Sequence, residues 1–113
     1  MIQQKVDCGN GITLQIIDGL PSLEWLCEQL RRELDAAGLP DHCNSLRNRA
    51  KGEHCMLDYN FRVLREAWEV FEPCGIELQS VIFVNLMRNT SMGLDVSWKE
   101  LIAMAKKELN EVM

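Results

Sequence analysis

The chain has 113 residues, of which 47% are hydrophobic and 26% are charged, and its net charge is -5. These proportions are close to those of globular proteins, which argues against a disordered or a fibrous chain. A chain of this length can bury a core without metal ions or disulfides, so the sequence is interpreted as one domain over residues 1–113.

The net charge, the apolar runs, the first residues and the cysteines indicate which partners and which compartment are expected for this chain. Nucleic acids and anionic lipids repel a chain of negative charge, and no apolar run approaches the roughly 20 residues of a membrane helix. The first residues lack the cationic head and apolar segment of a secretory signal, so we expect a cytoplasmic protein. Five cysteines without a repeated spacing suit free thiols in a reducing compartment.

The N-terminal segment, residues 2–17, alternates between apolar and polar side chains around Gly9-Asn10-Gly11. Asn-Gly between two alternating runs is the strongest short-range hairpin signal, because both residues tolerate the positive φ of a tight turn. The sequence therefore predicts a β-hairpin. A lone hairpin is marginal in water, so it needs a third strand or helices to pack against.

A helix is predicted after the break at residues 18–22, with Pro21 at its first position, where no N–H is needed. Gly38 and Pro40 mark its end. Its apolar face is formed by Leu23, Leu26, Cys27, Leu30, Leu34 and Ala37. Trp25 points away from this face. It either packs under the preceding loop or serves as a binding anchor, since tryptophan is enriched in interaction hot spots.

A short helix is predicted over residues 41–51, with Asp41 as its N-cap. Arg47, Arg49 and Lys51 fall in its last turns, where cations complement the helix dipole. Arg47 and Arg49 could also hold a phosphate or an acidic partner, although a charged helix end explains them equally well.

The central helix is predicted near residues 53–72. Its main row is Leu57, Phe61, Leu64, Trp68 and Phe71, which recur at steps of four and three. A second apolar row, which contains Met56, Val63, Ala67 and Val70, makes about half of its circumference apolar, so it needs cover on more than one side. Asn60 lies within this apolar arc. Its amide either bonds a neighbouring backbone group or sets the register of a helix pair at a subunit contact.

Residues 76–87 are interpreted as the third strand, because apolar and polar residues alternate and β-branched residues cluster. A buried helix is the alternative. After a loop over residues 88–96, Ser97 and Glu100 form a capping box that opens the last helix. The apolar face of that helix contains Trp98, Leu101, Ile102, Ala105, Leu109 and Val112.

Two His-Cys pairs, His42-Cys43 and His54-Cys55, are the most distinctive chemical feature of the sequence. Imidazole and thiolate are zinc or copper ligands, so a metal site is conceivable. Neighbouring residues on a helix point about 100° apart, which makes it hard for both members of one pair to reach one ion. A thiol nucleophile with a histidine base is the enzymatic version of the same four residues.

The sequence as a whole predicts an α+β domain in which the hairpin and a third strand pack against about four helices. No phosphate loop, dinucleotide fingerprint or nucleophile elbow is present. We therefore expect a non-catalytic module without a cofactor that binds a protein or forms a homodimer, through the last helix or the second row of the central helix. The alternatives are a metal-dependent or thiol-dependent enzyme centred on the His-Cys pairs, and an acidic inhibitor or immunity-type protein that neutralises a basic target.

Overall fold

A computed structural model describes residues 2–36, 38, 58–93 and 95–113 of the chain. Within these residues the fold has three strands and four helices, which confirms the predicted α+β class. The elements in chain order are β1 Gln3–Asp7, β2 Thr13–Ile17, β3 Leu20–Pro21, α1 Leu23–Ala36, α2 Asp58–Val70, a 3-10 turn Glu72–Cys74, α3 Ile76–Asn89 and α4 Trp98–Val112.

The hairpin is confirmed as the start of an antiparallel sheet of order β1-β2-β3. Its turn is closed by the N–H of Ile12, which donates to the carbonyl of Gly9 over 3.0 Å. Asn10 and Gly11 occupy the two central positions with φ values of 54° and 76°. This geometry is why the turn carries Asn-Gly. Leu14 and Ile16 of β2 are completely buried and anchor the sheet to the core.

The third strand lies at a different place from the predicted one. It is formed by Leu20 and Pro21, which pair with Ile17 and Ile16 of β2. Pro21 is therefore a strand residue, and its predicted position as the first residue of α1 is wrong. Ser22 begins the helix instead, because its hydroxyl oxygen accepts a 3.3 Å hydrogen bond from the backbone N–H of Trp25.

Residues 76–87, predicted as a strand, form most of helix α3, so that prediction is wrong. The helix contacts β1, α2 and α4, and this cover buries most of its circumference and overrides the strand preference of its β-branched residues. Two of its polar residues are also buried. Gln79 donates to the carbonyl of Trp68 over 2.9 Å, and the Ser80 hydroxyl donates to the carbonyl of Ile76.

Helix α2 lies at the centre of the core, and the central-helix prediction is confirmed over Asp58–Val70; residues 53–57 lie outside the described part. Leu64, Trp68 and Phe71 from its main row are buried, with Trp68 packed edge-on against Phe83 at 5.4 Å. Val63 and Ala67 from the second row are buried as well. Elements of the same chain therefore cover both of these positions.

Helix α4 packs along α2. Its start was predicted correctly, since the Ser97 hydroxyl accepts a 3.2 Å hydrogen bond from the N–H of Glu100. Leu101 and Ala105 of this helix are buried, while Trp98 and Val112 are exposed at its two ends. The predicted loop before it is shorter than expected, because α3 continues to Asn89.

Candidate protein-interaction surface

The sequence-predicted site residues fall mostly on parts of the chain that the structure does not describe. This holds for His42, Cys43, Arg47, Arg49, His54 and Cys55. The backbone of Asn60 belongs to α2, but its side chain is not among the described ones. Among the described residues, no group of three or more His, Cys, Asp or Glu side chains could hold a metal ion.

Trp25 is the one predicted site residue whose side chain is described. It is half-buried, packs against the core, and donates from its indole nitrogen to the carbonyl oxygen of Thr13 over 2.9 Å. Strand β3 has only two residues and does not extend along β2 as far as Thr13. Trp25 therefore supplies the donor that a longer third strand would have supplied, which favours a structural role for this residue.

The opposite edge of the sheet is formed by β1 and has no strand neighbour among the described residues. The backbone N–H of Cys8 donates to the carbonyl of Ile12, and the backbone N–H of Asp18 donates to the carbonyl of Ile2. Residues of an antiparallel strand alternate in the direction of their backbone groups, so the even-numbered residues face β2. The N–H and C=O groups of Gln3, Lys5 and Asp7 consequently point outward from the edge.

The two edges of the sheet differ in their capacity to pair with another strand. Edge β3 is two residues long and contains Pro21, which has no N–H to donate. Edge β1 is five residues long and contains no proline. An added strand would therefore find a regular row of donors and acceptors along β1.

A groove with a volume of about 510 Å³ runs between this edge and α3. It is lined by Lys5, Val6, Asp7, Glu77, Leu78 and Val81. Val6 and Val81 are half-buried, and 43% of Leu78 is exposed. The groove therefore combines an apolar interior with charged residues, as protein interfaces commonly do. We refer to these six residues and the outward backbone of β1 as the β1–α3 groove.

The sequence analysis did not identify this groove because it assigned α3 to a strand. Successive residues of an α-helix are rotated by about 100°, and on this basis the exposed residues of α3 lie within an arc of about 120°. They are Glu77, Leu78, Asn85, Arg88 and Asn89, with the half-buried Val81 among them. Glu77, Asn85 and Arg88 were a usable helical signal, but the buried polar residues Gln79 and Ser80 obscured it.

A second cleft, of about 210 Å³, lies between α2 and α4. Its described lining is Val63, Leu64, Met92, Gly93, Val96, Ser97, Trp98 and Leu101. The only hydroxyl in that lining belongs to Ser97, and its oxygen is engaged in capping α4. The described lining thus has the chemistry of an apolar surface and supplies no pair of a nucleophile and a base.

The described thiols are Cys8, Cys27 and Cys74. Cys8 and Cys27 are buried, and Cys74 is half-buried. Burial raises the pKa of the Cys8 thiol, with the nearby charge of Asp7 acting in the same direction. A reactive cysteine needs a lowered pKa and solvent access, so Cys8 does not have the environment of a nucleophile.

The described fold is a small α+β arrangement with one open sheet edge. No protein-family model matches the chain, and neither a curated protein nor a solved structure is found to be similar to it. None of the described helices has the length and apolar character needed to cross a membrane. The function is therefore argued from the chemistry of the described surfaces.

Proposed function

We propose that this chain is a non-catalytic association module, that its docking surface is the β1–α3 groove, and that the occupant is a second copy of the chain. The observation that carries the proposal is the outward backbone of Gln3, Lys5 and Asp7 beside the half-exposed side chains of Leu78 and Val81. Strand addition at such an edge is a common mode of protein recognition.

The backbone and the side chains of the groove contribute different parts of the binding energy. Each new backbone hydrogen bond contributes on the order of 1 kcal/mol net, because it replaces a bond to water. Removal of the apolar surfaces of Val6, Leu78 and Val81 from water adds about 25 cal/mol for each Å² of buried area. The backbone bonds provide orientation, and the apolar contacts provide additional stabilisation.

A second copy is the favoured occupant because β1 carries compatible charges. Lys5 and Asp7 both lie on the exposed strand, with the apolar Val6 between them. An antiparallel copy of this segment presents the same charges in reverse order, so opposite charges can face each other. Two-fold symmetric pairing of one surface with itself is also the most common way in which proteins form homodimers.

Removal of one outward N–H tests this proposal directly. The Lys5→Pro variant deletes a donor that faces away from β2, so it leaves the β1–β2 ladder intact. In light scattering, we expect the molecular mass of the wild-type protein to rise to that of a dimer as the protein concentration increases. We expect the Lys5→Pro variant to remain monomeric. The Lys5→Thr variant is the matched control, because it removes the charge but keeps the N–H.

Two results would contradict the proposal. One is a strictly monomeric wild-type protein at the highest soluble concentration. The other is a Lys5→Pro variant that associates as strongly as Lys5→Thr. Circular dichroism and thermal unfolding of both variants establish that the compared proteins are folded.

A further inference from the structure

We infer that the two copies pair their β1 strands antiparallel around a two-fold axis at Val6, so that Lys5 of each copy faces Asp7 of the other. This inference rests on the proposed self-association and specifies its register. It follows from the positions of the outward backbone groups and from the two charges on the strand.

The backbone first limits the possible registers. In an antiparallel pair, two residues that exchange hydrogen bonds stand directly opposite each other. On the outer side of β1 these residues are Gln3, Lys5 and Asp7, so an outward residue of one copy must face an outward residue of the other. For this strand the axis can therefore lie at any residue from Gln3 to Asp7.

The charges then select one of these positions. An axis at Lys5 or at Asp7 places that residue opposite its own copy, and like charges directly opposite each other are destabilising. An axis at Gln4 places Lys5 opposite Gln3, and an axis at Gln3 places Gln3 opposite its own copy. Neither forms an ion pair between described residues. Only the axis at Val6 forms two Lys5–Asp7 pairs, which is favourable because opposite charges on facing strands attract.

The local geometry agrees with this register. The Asp7 carboxylate already accepts a 2.9 Å hydrogen bond from the N–H of Gly9 through Oδ1, which holds it in place and leaves Oδ2 for a lysine. Val6 faces its own copy in a pair that exchanges no hydrogen bonds, where the two Cα atoms are about 4.5 Å apart. The valines therefore meet on the axis, on the same face of the sheet as Leu14.

The resulting dimer contains a six-stranded sheet of order β3-β2-β1-β1-β2-β3. Because the axis is perpendicular to this sheet, the helices of both copies lie on one face. The added strand lies along the β1–α3 groove, so Leu78 and Val81 become covered by the second copy. The register therefore accounts for both the open edge and the apolar residues beside it.

A charge reversal provides the first test. In the Lys5→Glu variant a carboxylate faces each Asp7. We expect the dissociation constant of the dimer, measured by analytical ultracentrifugation, to rise about tenfold or more. Gln3→Glu is the matched control, because it makes the next outward residue negative and faces Gly9 of the other copy. We expect Gln3→Glu to change the dissociation constant much less. Equal effects of the two variants would contradict the register.

A disulfide provides the second test and reports the register directly. In a Cys8→Ala background, the Val6→Cys variant is expected to form a disulfide between the two copies on mild oxidation, because the two sulfur-bearing residues meet on the axis. The Gln4→Cys variant in the same background is the control. In this register, position 4 of one copy faces the alanine at position 8 of the other, so the two introduced cysteines do not meet. Mass spectrometry of the digested protein identifies which cysteines are joined.

The possible outcomes separate the register from the association itself. A dimer that is linked through Val6→Cys, and not through Gln4→Cys, supports the inference. A dimer that is linked through Gln4→Cys, or through neither variant, overturns the register while the proposed association stands. A protein that remains monomeric before oxidation overturns both.

Discussion

The indole nitrogen of Trp25 lies 2.9 Å from the carbonyl oxygen of Thr13, and this contact completes the sheet beyond the short strand β3. One residue of α1 thus satisfies a backbone group that would otherwise face water. The same contact makes the two sides of the sheet unequal. The β3 side is closed by a proline and an indole, and the β1 side keeps its outward backbone groups.

Removal of the indole donor should measurably weaken the fold. The Trp25→Phe variant keeps an aromatic ring but cannot bond the Thr13 carbonyl. We expect the free energy of unfolding to fall by about 1 kcal/mol, the usual net value of one hydrogen bond. Trp98→Phe is the control, since 45% of Trp98 is exposed, and it should change stability by less than about 0.5 kcal/mol. Urea denaturation measures both values, and equal losses would contradict the role assigned to Trp25.

Two alanine substitutions distinguish helix α3 from a strand over the same residues. Phe83 is fully buried against Trp68, so Phe83→Ala should reduce the free energy of unfolding by about 3–5 kcal/mol. Leu78 is on the exposed arc, so Leu78→Ala should change the stability of the monomer by less than about 0.5 kcal/mol. In an alternating strand, Leu78 would share the buried face with Ile82, and Phe83 would lie on the other face. Denaturation at dilute concentration showing the larger loss for Leu78→Ala would therefore favour the strand.

The ion pairs on α1 predict a small pH-dependent contribution to stability. The guanidinium group of Arg31 donates a 2.7 Å hydrogen bond to the Glu28 carboxylate, and this bond is the main reason why the pKa of Glu28 is lowered. A lowered pKa in the folded state means that this contribution is present above the ordinary pKa of Glu and is lost as the pH falls through the folded value. We expect Glu28→Gln to cost about 0.5 kcal/mol at neutral pH, because the pair is solvent-exposed.

The pH and salt dependence distinguish the loss of this ion pair from a loss of stability that does not involve charge. The cost of Glu28→Gln should shrink as the pH is lowered past about 4.3, and high salt should also reduce it. Glu33→Gln on the same helix is the control, because the described residues give Glu33 no ion-pair partner. Thermal unfolding over a pH series provides the measurement. A cost that stays constant down to acidic pH would contradict the assignment.

The features that were predicted correctly are those with local signals. Asn10 and Gly11 specify the hairpin turn through their positive φ values, and Ser97 specifies the start of α4 through its hydroxyl. Leu64, Trp68 and Phe71 mark the buried side of α2 through helical spacing. Each of these signals depends on residues that are close in sequence and acts before the chain is packed.

The features that were missed depend on contacts between distant residues. Gln79 and Ser80 are polar but buried, and Gln79 is tolerated there because the Trp68 carbonyl, eleven positions earlier, accepts its amide hydrogen bond. No pattern within residues 76–87 contains that information. The position of the groove depends in turn on α3 being a helix that lies beside β1.

Local patterns in the sequence were enough to predict the α+β class, the hairpin, the central helix and the start of the last helix, because turn geometry, helical periodicity and capping depend on neighbouring residues. Packing between distant segments makes residues 76–89 helical, places Pro21 in a strand and leaves β1 rather than β3 as the open edge of the sheet. The physical reason is that burial and hydrogen-bond satisfaction are determined by neighbours in space. These interactions outweigh the weak local preferences of a short segment.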